Sequence, residues 1–184
     1  GKYVAAAAAA IVLGVGASQG YSAWQQSQAE AAANAYHQAL VADDAVSALQ
    51  GELAGLNDGY AALARFRIAA GKAEAGDAAG AEADYLAIAS DSGISDLYRE
   101  AATLLSAMNA PDSAKPAEIQ NRLEPIANGT GPWRPLALEM SAALDLKAGD
   151  REAALAKLQS IIEMEETPPE LRQRAAQLAE VLKS

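Results

Sequence analysis

A chain of 184 residues carrying 24 acidic and 14 basic side chains, a net charge of -10 and no cysteine rules out several classes of function at the outset. Nucleic acid and anionic lipid surfaces are bound through lysine and arginine, which are in deficit here, and without thiols there are no disulfides, no thiol catalysis and no cysteine-ligated metals. Forty-eight alanines spread among Leu, Glu, Gln and Arg, with no β-branched runs of strand length, predict an all-α protein whose small side chains let neighbouring helix backbones approach closely.

The first stretch, Tyr3 to Ala17, is uncharged and includes six consecutive alanines followed by Ile-Val-Leu-Gly-Val-Gly-Ala. Extended through Gly20 it covers about 20 residues, enough at ~1.5 Å per residue to span a ~30 Å hydrocarbon core. It is read as a transmembrane helix over residues 1–23, with Tyr3 at one interface and Tyr21 and Trp24 at the other. A secretory signal is the alternative, since Val15-Gly16-Ala17 suits cleavage, but the segment's presence in the chain favours a span. Gly16 and Gly20, four apart, give the helix a small-residue packing face toward other membrane proteins. With Lys2 as its basic flank, the N-terminus is expected to be cytoplasmic and the acidic domain periplasmic. A cytoplasmic tail is expected to precede Gly1, since there is no initiator methionine.

Residues 24–184 read as helical hairpins over about 24–54, 59–90, 95–127 and 132–164, closed by a cap at 168–183. Trp24 to Val41 continues outward without Pro or Gly, Ala42-Asp43-Asp44 turns with a capping acid, and Ala45 to Leu53 folds back. Tyr60 to Ala75, with Leu63, Phe66 and Ala70 toward one face, meets the turn Gly76-Asp77. Ala78 to Ala89 then returns with Ala81, Tyr85 and Ile88 on a stripe. Leu97 to Met108 and Ala117 to Ala127 make a third pair across a Pro- and Ser-containing loop. Pro132 and Pro135 are expected in the first turn of the helix that ends at Ala148. After Gly149-Asp150, Arg151 to Glu163 aligns Ala154, Leu158 and Ile161, and Glu170 to Lys183 is an amphipathic cap.

The hairpins repeat one another. Ala81 and Tyr85 lie five and nine residues after Gly76, and Ala154 and Leu158 lie five and nine after Gly149, a glycine spacing of 73 residues. Two periods of about 34 plus a short insertion account for that distance, and the period belongs to helix-turn-helix solenoids. The first hairpin keeps the pattern in part, with Asp43 in the glycine position and Ala48 five residues on.

The order Gly-Asp, Ala, then an aromatic or Leu, with Ala69 and Ala142 seven residues before the glycines, resembles the tetratricopeptide repeat. Arg65 and Leu138 stand where that repeat carries a large aromatic. The segments Gly59-Tyr60-Ala61-Ala62-Leu63-Ala64-Arg65, Pro132-Trp133-Arg134 and Pro169 to Ala175, behind one membrane helix, resemble the alphaproteobacterial branch of the YfgM-like family over nearly the whole chain. That resemblance implies a single-span inner-membrane protein with a periplasmic repeat domain, associated with the SecYEG translocon and the chaperone PpiD, and binding periplasmic proteins through its solenoid.

Residues that carry chemistry are few, so no enzyme, cofactor, metal or small-molecule substrate is expected. His37 lacks a neighbouring nucleophile or second ligand in sequence and reads as a surface residue. Glu163, Glu165 and Glu166 read as a solvated helix end, Gly71-Lys72 lacks the rest of a phosphate loop, and Asn128-Gly129-Thr130 is a chance glycosylation match. Trp133, between two prolines, is either an anchor holding the fourth hairpin on the third, the preferred reading, or an exposed interface residue. Tyr60, Tyr85 and Tyr98 are candidates for the inner surface of the solenoid. The expected function is a membrane-anchored interaction scaffold, a chaperone accessory of a complex such as the translocon. The alternative is a structural subunit of another inner-membrane assembly such as a respiratory complex.

Overall fold

Alanine, leucine and glutamate lose little side-chain freedom in a helix, and the computed structural model, which describes residues 25–183, has only helices as its regular elements among those residues. They are α1 (residues 25–40), α2 (Ala45–Glu52), a 3-10 turn (Leu53–Gly55), α3 (Asp58–Glu74), α4 (Ala78–Ala89), α5 (Asp96–Met108), α6 (Pro116–Ala127), α7 (Arg134–Ala148), α8 (Arg151–Glu163) and α9 (Pro169–Lys183). No helix among the described residues is long and apolar enough to cross a membrane. The apolar stretch from Tyr3, with the candidate positions Tyr3, Gly16, Gly20, Tyr21 and Trp24, lies outside the described residues.

The chain divides into two compact units between Ile68 and Ala69, within α3. In the first, Ala39, Leu49, Ala64 and Ile68 are buried together, with Tyr36, Leu40 and Leu53 packed against them. Asp44 caps α2, its carboxylate accepting from the Ser47 N–H at 3.0 Å and the Ser47 hydroxyl at 2.6 Å. Asn57 does the same for α3 by accepting from the Tyr60 N–H at 3.1 Å. The Tyr60 ring lies against Tyr36, with centroids 5.5 Å apart.

In the second unit each helix from α4 to α9 packs on the next in sequence, and α7 also reaches α9. Two of its turns follow one template. Gly76 (φ +85°) and Gly149 (φ +81°) are the positive-φ residues among those described, and each lets the chain leave its helix through the left-handed region that a Cβ disfavours. The Asp77 N–H then donates to Lys72 O at 2.9 Å and the Asp150 N–H to Asp145 O at 2.8 Å, satisfying carbonyls at the two helix ends. The aspartate after each glycine caps the returning helix. Asp77 accepts from the Gly80 N–H and Asp150 from the Ala153 N–H, both at 2.9 Å.

Around the two turns the buried residues coincide position by position. Seven residues before each glycine stand Ala69 and Ala142, five after stand Ala81 and Ala154, nine after stand Tyr85 and Leu158, and twelve after stand Ile88 and Ile161, all buried. An ion pair also recurs, with its charges exchanged. Lys72, four before Gly76, meets Asp84, eight after, at 2.6 Å, whereas Asp145, four before Gly149, meets Lys157, eight after. The turn between α5 and α6 lacks the glycine and uses side chains instead, the Asn109 amide donating to Leu105 O at 2.8 Å.

Helix α9 closes this unit. It buries Leu171, Ala175 and Ala179 and turns Gln173, Gln177, Glu180 and Lys183 outward. Arg172 ties the preceding loop by donating to the carbonyls of Met164, Glu165 and Thr167 at 2.9 to 3.1 Å. The Thr167 hydroxyl donates to Ile161 O at 2.8 Å.

Some details differ from the sequence reading. On α3 the buried positions are Ala64, Ile68 and Ala69, whereas Leu63 is 46 % exposed. With apolar residues on several faces, periodicity does not single out the buried one. No residue other than glycine has positive φ among those described, so Asp43 does not reproduce the glycine turn, and Leu49 rather than Ala48 is fully buried. Helix α7 starts at Arg134, which puts Pro135 in its first turn and Pro132 before it.

Two consequences can be checked by thermal and chemical denaturation. Ala81→Trp and Ala154→Trp should each cost about 1–3 kcal/mol, because a large ring has no room at these close contacts; melts matching the parent would contradict the packing. Lys72→Asp should lower stability by up to about 1 kcal/mol and the double variant with Asp84→Lys should recover most of it, as the reversed pair at Asp145 and Lys157 leads one to expect.

Candidate functional site

The longest connection in the second unit, residues 109–115, joins α5 to α6, and these two helices pack less closely than their neighbours. Where they part, Ala89 of α4, Asp96, Arg99, Glu100 and Thr103 of α5, and Arg122, Pro125 and Ile126 of α6 line a groove of about 330 Å³. The α5 residues recur at intervals of three, four and seven, which places them along one stripe of the helix. Its lining combines apolar Ala89, Pro125 and Ile126 with charged Asp96, Arg99, Glu100 and Arg122.

Most of its charges are already paired. Arg99 bonds Asp96 on its own helix, and Arg122 donates from Nη1 to Glu82 Oε1 of α4 at 2.7 Å. The Thr103 hydroxyl is spent on Arg99 O at 3.0 Å. Glu100 is different. It has neither hydrogen bond nor ion pair among the described residues, and its carboxylate lies over Gly131, where a Cβ would stand 3.0 Å from Oε2. The absence of a side chain at Gly131 is what leaves this space for the carboxylate.

Trp133 follows two residues after Gly131. Partly buried against the main core, it donates from Nε1 to Leu97 O at 2.9 Å and so ties the start of α7 to the first turn of α5. Arg134 adds a bond from Nε to Ala127 O at 3.2 Å. Leu97 and Tyr98 beside it remain exposed, Tyr98 at 52 %.

The other residues singled out from sequence fall as follows. Ala81, Tyr85, Ala154 and Leu158 are all in the interior. Tyr60 is half-buried against Tyr36, Tyr85 is buried and Tyr98 exposed, so the three tyrosines do not share one kind of environment. His37 is exposed on α1, and Lys72 in the Gly71-Lys72 pair is held by Asp84 within the hairpin. Glu163, Glu165 and Glu166 are exposed, and among the described residues no group of three or more His, Asp or Glu is placed to hold a metal. Sequence reading missed Arg99, Glu100, Arg122 and Gly131. The spacing of Asp96, Arg99, Glu100 and Thr103 was the available signal, but their convergence on Arg122 is a matter of tertiary packing.

Burial, with the Glu74 charge as the smaller influence, raises the Tyr85 phenol above its usual 10.0. A comparison of the chain with protein-family models, with curated proteins and with solved structures finds no match. What the described residues define is therefore a class, an all-α chain built in part from repeated helical turns, with a polar groove on one of its units.

A raised folded-state pKa means that the neutral phenol is favoured by folding, so its contribution is complete below pH 10 and is lost as pH rises through the folded value. Stability should accordingly fall more steeply with pH above 10 in the parent than in Tyr85→Phe, as read by urea titrations at pH 9 and 11. Parallel pH profiles would contradict the burial of Tyr85 as the cause.

Proposed function

We propose that the chain is a membrane-anchored scaffold for protein interactions, with a tetratricopeptide-like domain on the periplasmic side. The observation that carries this reading is the recurrence of one turn, one set of buried positions and one ion-pair geometry around Gly76 and Gly149. A chain assembled from repeats offers extended surface rather than an enclosed centre, and surface of this kind serves binding. The outer side of α9, polar at Gln173, Gln177, Glu180 and Lys183 with Val181 as its exposed apolar residue, supports a role as terminal cap of such a stack. The uncharged stretch from Tyr3 to Gly20 supports the anchor, with Gly16 and Gly20 as its packing face and Tyr3, Tyr21 and Trp24 at the interfaces. The resemblance to the YfgM-like family supports a role beside a translocon and its periplasmic chaperone, without a cofactor or a turnover of its own.

Recovery of the tagged full chain in mild detergent tests this. Translocon components should co-purify with it, and Gly16→Leu with Gly20→Leu should reduce that recovery severalfold while the melting of the repeat domain stays the same. Recovery with a respiratory oxidase or reductase alone would assign it to a different assembly, and undiminished recovery of the double variant would remove the packing face.

A further inference from the structure

We infer that the groove between α5 and α6 receives a lysine or arginine side chain from an extended segment of a partner protein, with Glu100 as the group that meets its charge. The inference rests on the scaffold reading and specifies the partner's chemistry. Such a side chain has an apolar stem and a cationic head. The groove lining offers both, with Ala89, Pro125 and Ile126 for the stem and the Glu100 carboxylate for the head. Its volume, about 330 Å³, admits a side chain rather than a folded element.

The charges decide the sign of the ligand. Asp96 is matched by Arg99 and Glu82 by Arg122, so the uncompensated charge at the groove is that of Glu100. An anion would meet guanidinium groups whose charge Asp96 and Glu82 already offset. Arg99 Nε has no partner and is covered from solvent. A cation displaces nothing, since Glu100 is unpaired and stands in the open space left by Gly131. Leu97, three residues before Glu100 and 45 % exposed, offers an apolar neighbour on the adjoining helix surface, suited to an apolar residue beside the basic one. The overall charge of -10 draws such segments toward the protein at low salt.

The test uses the full chain in detergent micelles and a fluorescein-labelled, end-capped Ser-Leu-Arg-Leu-Ser peptide, read by anisotropy. Two further peptides carry citrulline or glutamate in place of arginine. Glu100→Gln should weaken the arginine peptide about tenfold, equivalent to ~1.4 kcal/mol. Asp112→Asn, which removes one exposed charge from the 109–115 loop, should leave it unchanged. The citrulline peptide should bind the parent about as weakly as the arginine peptide binds Glu100→Gln. Equal affinity of Glu100→Gln and parent overturns the inference, as does tighter binding of the glutamate peptide, which would give the groove to an anion on Arg99 and Arg122. If Glu100→Gln leaves peptide affinity intact while translocon proteins still co-purify, the groove assignment falls and the scaffold reading stands.

Discussion

The second unit depends on a backbone constraint at two positions. A helix that must reverse within two or three residues needs one of them in the left-handed region, where a Cβ is penalised, and Gly76 and Gly149 supply it. Once the glycine is placed, the aspartate beside it falls at the N-cap of the return helix, and the residues seven before and five and nine after fall at the contact between the two. Alanine at the seven-before and five-after positions permits close approach, and Tyr85 or Leu158 fills the volume beyond. Register, capping and core thus follow from a single turn, and the ion pair with exchanged charges shows that geometry rather than charge order is what recurs.

Where this turn is absent, the chain behaves differently. Seven residues join α5 to α6, the helices pack less closely, and a polar groove opens on the unit that also carries the two tight glycine turns. Paired arginines line it, and a lone carboxylate stands over a glycine. The departure from the repeat is therefore where unpaired charge collects on this unit.

The helices and the two glycine turns were legible because their signals are local. Gly-Asp after an apolar run marks a helix end and the next cap together, and an alanine-rich chain without strand patterns leaves little choice of class. The buried face of α3 was not legible, since Leu63, Ala64, Phe66 and Ile68 present hydrophobic side chains around the helix and only packing selects Ala64 and Ile68. The groove was illegible for a different reason. Arg122 and Glu82 are 40 residues apart, and nothing in the spacing of either announces the other.

The proposed anchor and the proposed periplasmic repeat domain are both tested directly by fractionation of cells producing the full chain. Membranes washed with alkaline carbonate should retain the protein, and protease added to the periplasmic side should digest the repeat domain down to a fragment about the length of the N-terminal segment. Release into the carbonate supernatant, or protection of the domain until the membrane is opened, would contradict the account.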